Sequence, residues 1–134
     1  MVPIMAAELD YAFIAEYAKV EGGKLTAVGA SYIDIRPPTL PAQHILYLAG
    51  RVRAPEDTET IILKLRIDPP GNVNIVIDGT ITIGPEDPRY AGKVAAMFAA
   101  SAAVPLLSAG LCEISVEVDG VPQRRLAYEI IAPQ

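Results

Sequence analysis

Across 134 residues there is one cysteine, one histidine, two phenylalanines and no tryptophan. Each scarcity removes a class of chemistry. A lone Cys112 makes neither an internal disulfide nor a thiolate zinc site. Positive charge is also short: 11 basic against 16 acidic side chains give a formal charge of −5 and a pI of about 4.8. That balance disfavours nucleic-acid phosphates or anionic lipid as partners. The longest apolar stretch, Val94 to Leu107, is interrupted by Ser101 and Pro105 and falls short of the ~18 to 20 residues that cross a bilayer. Met1-Val2-Pro3-Ile4-Met5-Ala6-Ala7-Glu8 has no basic start and sets a proline and an acid where a secretory signal needs an apolar core. These features predict a soluble, cytoplasmic protein, with a virion as the alternative location.

The motifs of common enzymes are missing as well. No glycine-rich loop is followed by Lys-Ser or Lys-Thr, and no strand-turn-helix unit carries the spaced glycines of dinucleotide binding. His44, preceded by Pro41-Ala42-Gln43, reads as a surface or edge residue rather than a catalytic base. Cys112 falls on the apolar parity of its strand, where a free thiol acts as a small hydrophobe with a raised pKa. Glu56-Asp57-Thr58-Glu59 and Glu86-Asp87 lack the alternating acids and glycine of a calcium loop and read as solvated turns. The expectation is a protein that is not an enzyme and holds no cofactor or metal.

What the chain does have is β patterning. Ile61, Leu63, Leu65 and Ile67 alternate with Ile62, Lys64, Arg66 and Asp68, placing an apolar side chain on the same face every second residue. After the turn residues Pro69-Pro70-Gly71-Asn72, the positions Val73, Ile75, Ile77, Ile81 and Ile83 repeat the pattern. Parity survives Asp78-Gly79, which favours one long, bent strand. Cys112, Ile114, Val116 and Val118 form a third alternation, and Asp119-Gly120 turns it back into Leu126, Tyr128 and Ile130. Leu9 to Val20 fits a helix face or a strand face, and Gly22-Gly23 tips it toward a hairpin. In the alanine-rich stretch 91–104, propensity favours a helix that starts after Asp87-Pro88. Six to eight short strands separated by Gly, Pro and Asp turns describe an antiparallel sandwich or barrel. With no repeat or linker, residues 1–134 read as a single domain, with 1–7 as an N-terminal arm.

Asp10-Tyr11-Ala12, then Gly23-Lys24-Leu25 leading into Val28-Gly29-Ala30, resemble the opening of an uncharacterised family of short bacterial proteins common in actinobacteria. Ile67-Asp68-Pro69-Pro70-Gly71-Asn72 and the closing Gly110, Cys112, Ile114, Val116, Val118, Asp119 and Gly120 extend the likeness over nearly the whole chain. The resemblance implies an immunoglobulin-like β-sandwich of about seven or eight strands and brings no catalytic residues. It also implies a strand over 93–104, which we adopt, leaving a short helix around 91–104 as the competing reading.

Two features point to function. With 51% hydrophobic residues and a mean hydropathy of +0.32, the chain has more apolar surface than a domain this small buries, since about two thirds of the unfolded surface is removed on folding. Second, Arg51 and Arg53 share the outward parity of one strand, and Lys64 and Arg66 that of the next. If the two strands are hairpin neighbours, four cations lie on one sheet face, beside outward Ile45, Tyr47, Ile62 and Val76. We therefore expect a protein-binding face formed by Arg51, Arg53, Lys64, Arg66, Tyr47 and Ile62. The implied partner is a second copy or a larger assembly, one concrete form being an accessory protein that decorates a phage or phage-like shell. A carrier of an apolar or carbohydrate ligand is the alternative.

Overall fold

A computed structural model describes residues 7–134 and shows strands and turns with no helix among them. The expected arm at 1–7 lies outside the described residues except for Ala7, which is buried. The strands are β1 (Glu8–Ala15), β2 (Tyr17–Glu21), β3 (Lys24–Val28), β4 (Asp34–Ile35), β5 (Ala42–Pro55), β6 (Thr60–Asp68), β7 (Ile75–Thr82), β8 (Arg89–Tyr90), β9 (Lys93–Leu106), β10 (Gly110–Val118) and β11 (Val121–Ile130). One sheet has the order β1-β5-β9-β8 and the other β4-β11-β10-β6-β7. Every pairing is antiparallel except β4 with β11.

The two sheets face each other over one core. β5 contributes Leu46, Leu48 and Val52, β9 contributes Val94, Phe98 and Val104, and β6, β10 and β11 answer with Ile61, Leu65, Ile67, Ile114, Val116 and Tyr128. This is the alternation read from the sequence, now seen as burial: β6 is buried at every odd position. Gly50 lets the core close. A Cβ there would sit 2.3 Å from the Tyr11 carbonyl oxygen and 2.9 Å from the Phe98 ring, which packs on the bare backbone from across the β5–β9 ladder.

The two Asp-Gly pairs adopt the conformations read from the sequence. Asp119 and Gly120 adopt φ of 48° and 80° between β10 and β11, and Asp78-Gly79 lies inside an uninterrupted β7. The run from Leu9 to Val20 is strand but not one strand. It breaks at Glu16, whose N–H bonds to the Val28 and Gly29 carbonyls, and β2 and β3 leave the sheet as a separate hairpin across Gly22-Gly23.

The helix reading of 91–104 is overturned. Lys93–Leu106 is a strand paired with β5 in unbroken register over 14 positions. Helix propensity of about 0.5 kcal/mol per residue between alanine and valine is outweighed by that ladder and by burial of Val94, Phe98 and Val104. The alanines have another use. Ala15, Ala18 and Ala49 form a second small core with Phe13, Leu25, Tyr47 and Ala99, where the β2–β3 hairpin lies against the outer face of β5 and β9. Small side chains let backbones meet on that face.

The two sides of the sandwich differ. On one side Gln123 of β11 accepts from Leu9 N–H at 2.6 Å and donates to the Ala7 carbonyl, tying the sheets together at β1. On the other, β7 and β9 end their sheets, and two-residue β8 covers β9 only at Lys93 and Val94.

Candidate functional site

The structure separates the expected cation face. The chain changes sheets between β5 and β6, so Arg51 and Arg53 lie on the outer face of one sheet and Lys64 and Arg66 on that of the other. β5 and β6 are not hairpin neighbours, and the four cations do not converge. Each also has an acid of its own. The β1–β5 register slips between Leu9 and Tyr11, and the extra residue, Asp10, meets Arg51 Nε at 2.6 Å and Arg53 Nε at 3.5 Å. Arg51 also lies 5.4 Å over the Tyr11 ring. Glu8 takes Arg53 at 3.0 Å and Lys93 at 3.5 Å. On the opposite face Arg66 pairs with Glu117 at 3.5 Å and Lys64 with Asp78 at 3.8 Å, while Arg125 pairs with Glu113. The hydrogen-bonded Asp10 carboxylate holds the Arg51 guanidinium pKa above its usual value.

The apolar members part in the same way. Tyr47 is half-buried under the hairpin, edge-on to Tyr17 with ring centroids 5.3 Å apart. Ile62 is 56% exposed on the far sheet, its N–H donating to the Asp119 carboxylate. Ile45 is exposed on the β5 face and Val76 on the β7 face, so no single patch joins them.

A polar cluster that sequence reading missed lies at one end of the sandwich. His44, expected at the surface, is half-buried, and the Tyr32 hydroxyl shares a 2.8 Å hydrogen bond with its Nε2. Both rings pack on Tyr128, with centroids 5.6 and 5.7 Å away. Tyr128 stands directly across from Cys112, and its hydroxyl is buried without a hydrogen-bond partner among the described residues. Burial pushes the Tyr32 phenol up to about 12, raises the Tyr128 phenol and the Cys112 thiol, and lowers the His44 imidazole. All four groups are thus held neutral, which suits packing rather than nucleophile activation. Tyr32 sits in an irregular segment, so no periodicity marked it. Among the described residues no group of three or more His, Cys, Asp or Glu side chains could hold a metal ion.

The open side is the third feature. Ala95 N–H donates to the Pro88 carbonyl at 3.1 Å, so odd-numbered β9 residues direct their backbone groups toward β8 and away from β5. Beyond β8 those of Met97, Ala99, Ser101 and Ala103 meet no strand among the described residues. Behind this edge an apolar slot of about 170 Å³ opens between β7 and β9, lined by Leu63, Leu65, Ile77, Ile81 and Phe98. In front, a groove of about 470 Å³ runs beside Tyr17 and Val20, each 42% exposed. From Val94 to Cys112 the sequence has no charged residue. Natural sheet edges are usually blunted by charge or proline, and here only Pro105 interrupts.

A comparison with curated proteins finds no match. Among solved structures, the fold is similar to part of a Pseudomonas fluorescens alkylpurine DNA glycosylase, AlkC, bound to DNA containing an abasic-site analogue. The TM-score is 0.53 at 10% identity, covering 94% of this chain but 30% of that one. At that identity the likeness concerns the fold alone, and the chain spans less than a third of that protein. A family model matches residues 10–131, almost the whole sandwich, and the chain belongs to that family, a family of unknown function, DUF6941.

Proposed function

We propose that this protein is a non-enzymatic interaction module that binds another polypeptide by strand addition at the open edge of β9. The observation that carries the reading is the uncharged, unpaired stretch from Met97 to Ala103, with the apolar slot behind it and the groove beside Tyr17 and Val20 in front. Main-chain hydrogen bonds to an edge supply affinity, and adjoining apolar pockets supply selectivity. A subunit decorating a larger shell would use this same edge.

We also infer that the sandwich is of immunoglobulin type. With β1, β5, β6, β8, β9, β10 and β11 as the seven principal strands, the first, second, fifth and fourth make one sheet and the seventh, sixth and third the other. That is the order of immunoglobulin sandwiches. The short β8 then stands where a full edge strand belongs, which is why β9 is left open.

Charge opposes a nucleic-acid reading suggested by the DNA-bound neighbour. The chain carries −5, and Arg51, Arg53, Lys64, Arg66, Lys93 and Arg125 are all ion-paired to its own acids. A carrier holding a small ligand between the sheets has less support too, since the slot there is about 170 Å³ against the roughly 300–1,000 Å³ of ligand pockets. Selection of a displayed random-peptide library tests the proposal. Peptides enriched on the wild-type protein are expected to lose about tenfold or more in affinity for Ser101→Lys, about 1.4 kcal/mol. Equal binding to both proteins, or no enrichment above an unrelated domain, refutes it.

A further inference from the structure

We propose that the strand added at this edge is β9 of a second copy, paired antiparallel about a twofold axis at Ala100. The inference rests on the strand-addition reading above and names its partner. The limits of the open window set the register. At one end Ala95 N–H is already bonded to the Pro88 carbonyl, and at the other Pro105 has no N–H to give. Between them the edge-directed residues are Met97, Ala99, Ser101 and Ala103. A strand meets its own copy in antiparallel sense only about a twofold, and a centre at Ala100 uses all four. Met97 then faces the partner's Ala103 and Ala99 faces the partner's Ser101, two hydrogen bonds to each pair. A centre two residues along the register on either side would set one of these residues against Ala95 or Pro105, which cannot complete a pair.

Charge selects a second copy over a charged segment. Two chains of −5 repel each other wherever their acids approach, and the stretch from Val94 to Cys112 is the longest in the sequence with no acid or base. An edge without charge offers nothing to recognise a charged peptide, yet it costs least when two like-charged copies meet. The cations Arg89 and Lys93 flank one end of the window only. Pro88 and Arg89 already lie beside Ala95 and Val94, so the ladder ends at the Met97–Ala103 pairs, and antiparallel pairing keeps the two basic ends at opposite ends of it. Small side chains at Ala99, Ser101 and Ala103 let the strands close, and extending the sheet across the axis would cover Tyr17 and Val20, exposed beside the edge.

Sedimentation equilibrium of the whole protein, with cysteine trapping, tests this. The wild-type chain is expected to sediment at twice its 14.3 kDa mass. Ser101→Lys is expected to return it to a single mass while its far-ultraviolet spectrum keeps the β signature, and Ala103→Glu gives a second route to the same result. Under mild oxidation Ala100→Cys is expected to form a disulfide-linked dimer, because residue 100 is its own neighbour across the axis. Ala127→Cys, exposed on the other sheet, is not. A chain that stays single at every concentration tried overturns the proposal, as does a dimer left intact by Ser101→Lys or untrapped by Ala100→Cys. If that single chain still binds displayed peptides at β9, the strand-addition reading survives without self-pairing. If it binds none, both fall.

Discussion

Gly50 shows how one position is dictated by its neighbours. It has no positive φ to require glycine, so the reason is space alone: a methyl group there meets the Tyr11 carbonyl, which is backbone and cannot swing aside. Gly50→Ala is expected to cost at least about 2 kcal/mol in urea unfolding, the range of overpacked cores. Gly79, on the open β7 edge, has nothing within 4 Å of the equivalent atom. There the alanine variant is expected to be neutral or to stabilise by up to about 1 kcal/mol, through the less free unfolded chain. Equal costs at the two sites would mean that the Tyr11 carbonyl and the Phe98 ring do not crowd Gly50. His44 is governed by burial in place of space. The Tyr32 and Tyr128 rings pack on it, and burial lowers its pKa from 6.5, with the Glu16 charge pulling the other way. As pH falls below 6.5 the unfolded chain takes up this proton first, so the stability is whole above that pH and is lost as pH drops through the folded value. The urea midpoint is expected to fall more between about pH 7.5 and about pH 5.5 in the wild type than in His44→Gln. Parallel losses would show that His44 titrates alike in both states.

At the scale of elements, the β2–β3 hairpin stands apart from the sandwich. It is a two-stranded ribbon outside both sheets, held through Ala18 and Leu25 against Ala49, Tyr47 and Ala99, with Lys19, Val20, Glu21 and Thr26 in solvent. A ribbon with so little buried area opens without the rest of the fold. Native-state hydrogen exchange is expected to find the amides of Lys19 to Ala27 exchanging well before those of β5, β6 and β10; protection equal to global unfolding would make the hairpin part of the main core. The same contrast explains what was legible in the sequence. β6, β7, β10 and β11 are half-buried ladders, so each writes its alternation into Ile61 to Asp68 or Cys112 to Val118, and their turns are marked by Asp119-Gly120 and Pro70-Gly71. β5 and β9 are covered on both faces only around Ala49 and Ala99, one face by the core and the other by the hairpin. Along β9, Ala95, Ala96, Ala99 and Ala100 show no period, and propensity points the wrong way. Residue parity placed Arg51, Arg53, Lys64 and Arg66 outward correctly but carried no information on which sheet each strand joins. The Asp10 bulge and the Tyr32–His44 contact depend on distant partners, and local pattern is blind to both.

For the whole molecule, the division of charge decides how it meets another. Many of the acids and bases on the outer sheet faces are paired within the chain, while the open stretch of the β7–β9 side carries only Asp78, which holds Lys64, with Arg89 and Lys93 at one end. Association driven by a cationic face against acidic loops would weaken with salt, because the attraction itself is screened. Association through the β9 edge has the opposite dependence. Its backbone bonds and apolar flanks are insensitive to moderate salt, and the only long-range term is the mutual repulsion of two chains at −5. Raising sodium chloride from about 0.05 M to about 0.5 M shortens the screening length from roughly 14 Å to roughly 4 Å. The dimer is therefore expected to tighten over that range in sedimentation equilibrium, and to tighten again as pH is lowered toward the pI of about 4.8 until the loss of stability from His44 intervenes. A dimer that loosens with salt would return the interface to the arginines of β5, and the chain would then join its partner by a sheet face and not by a strand.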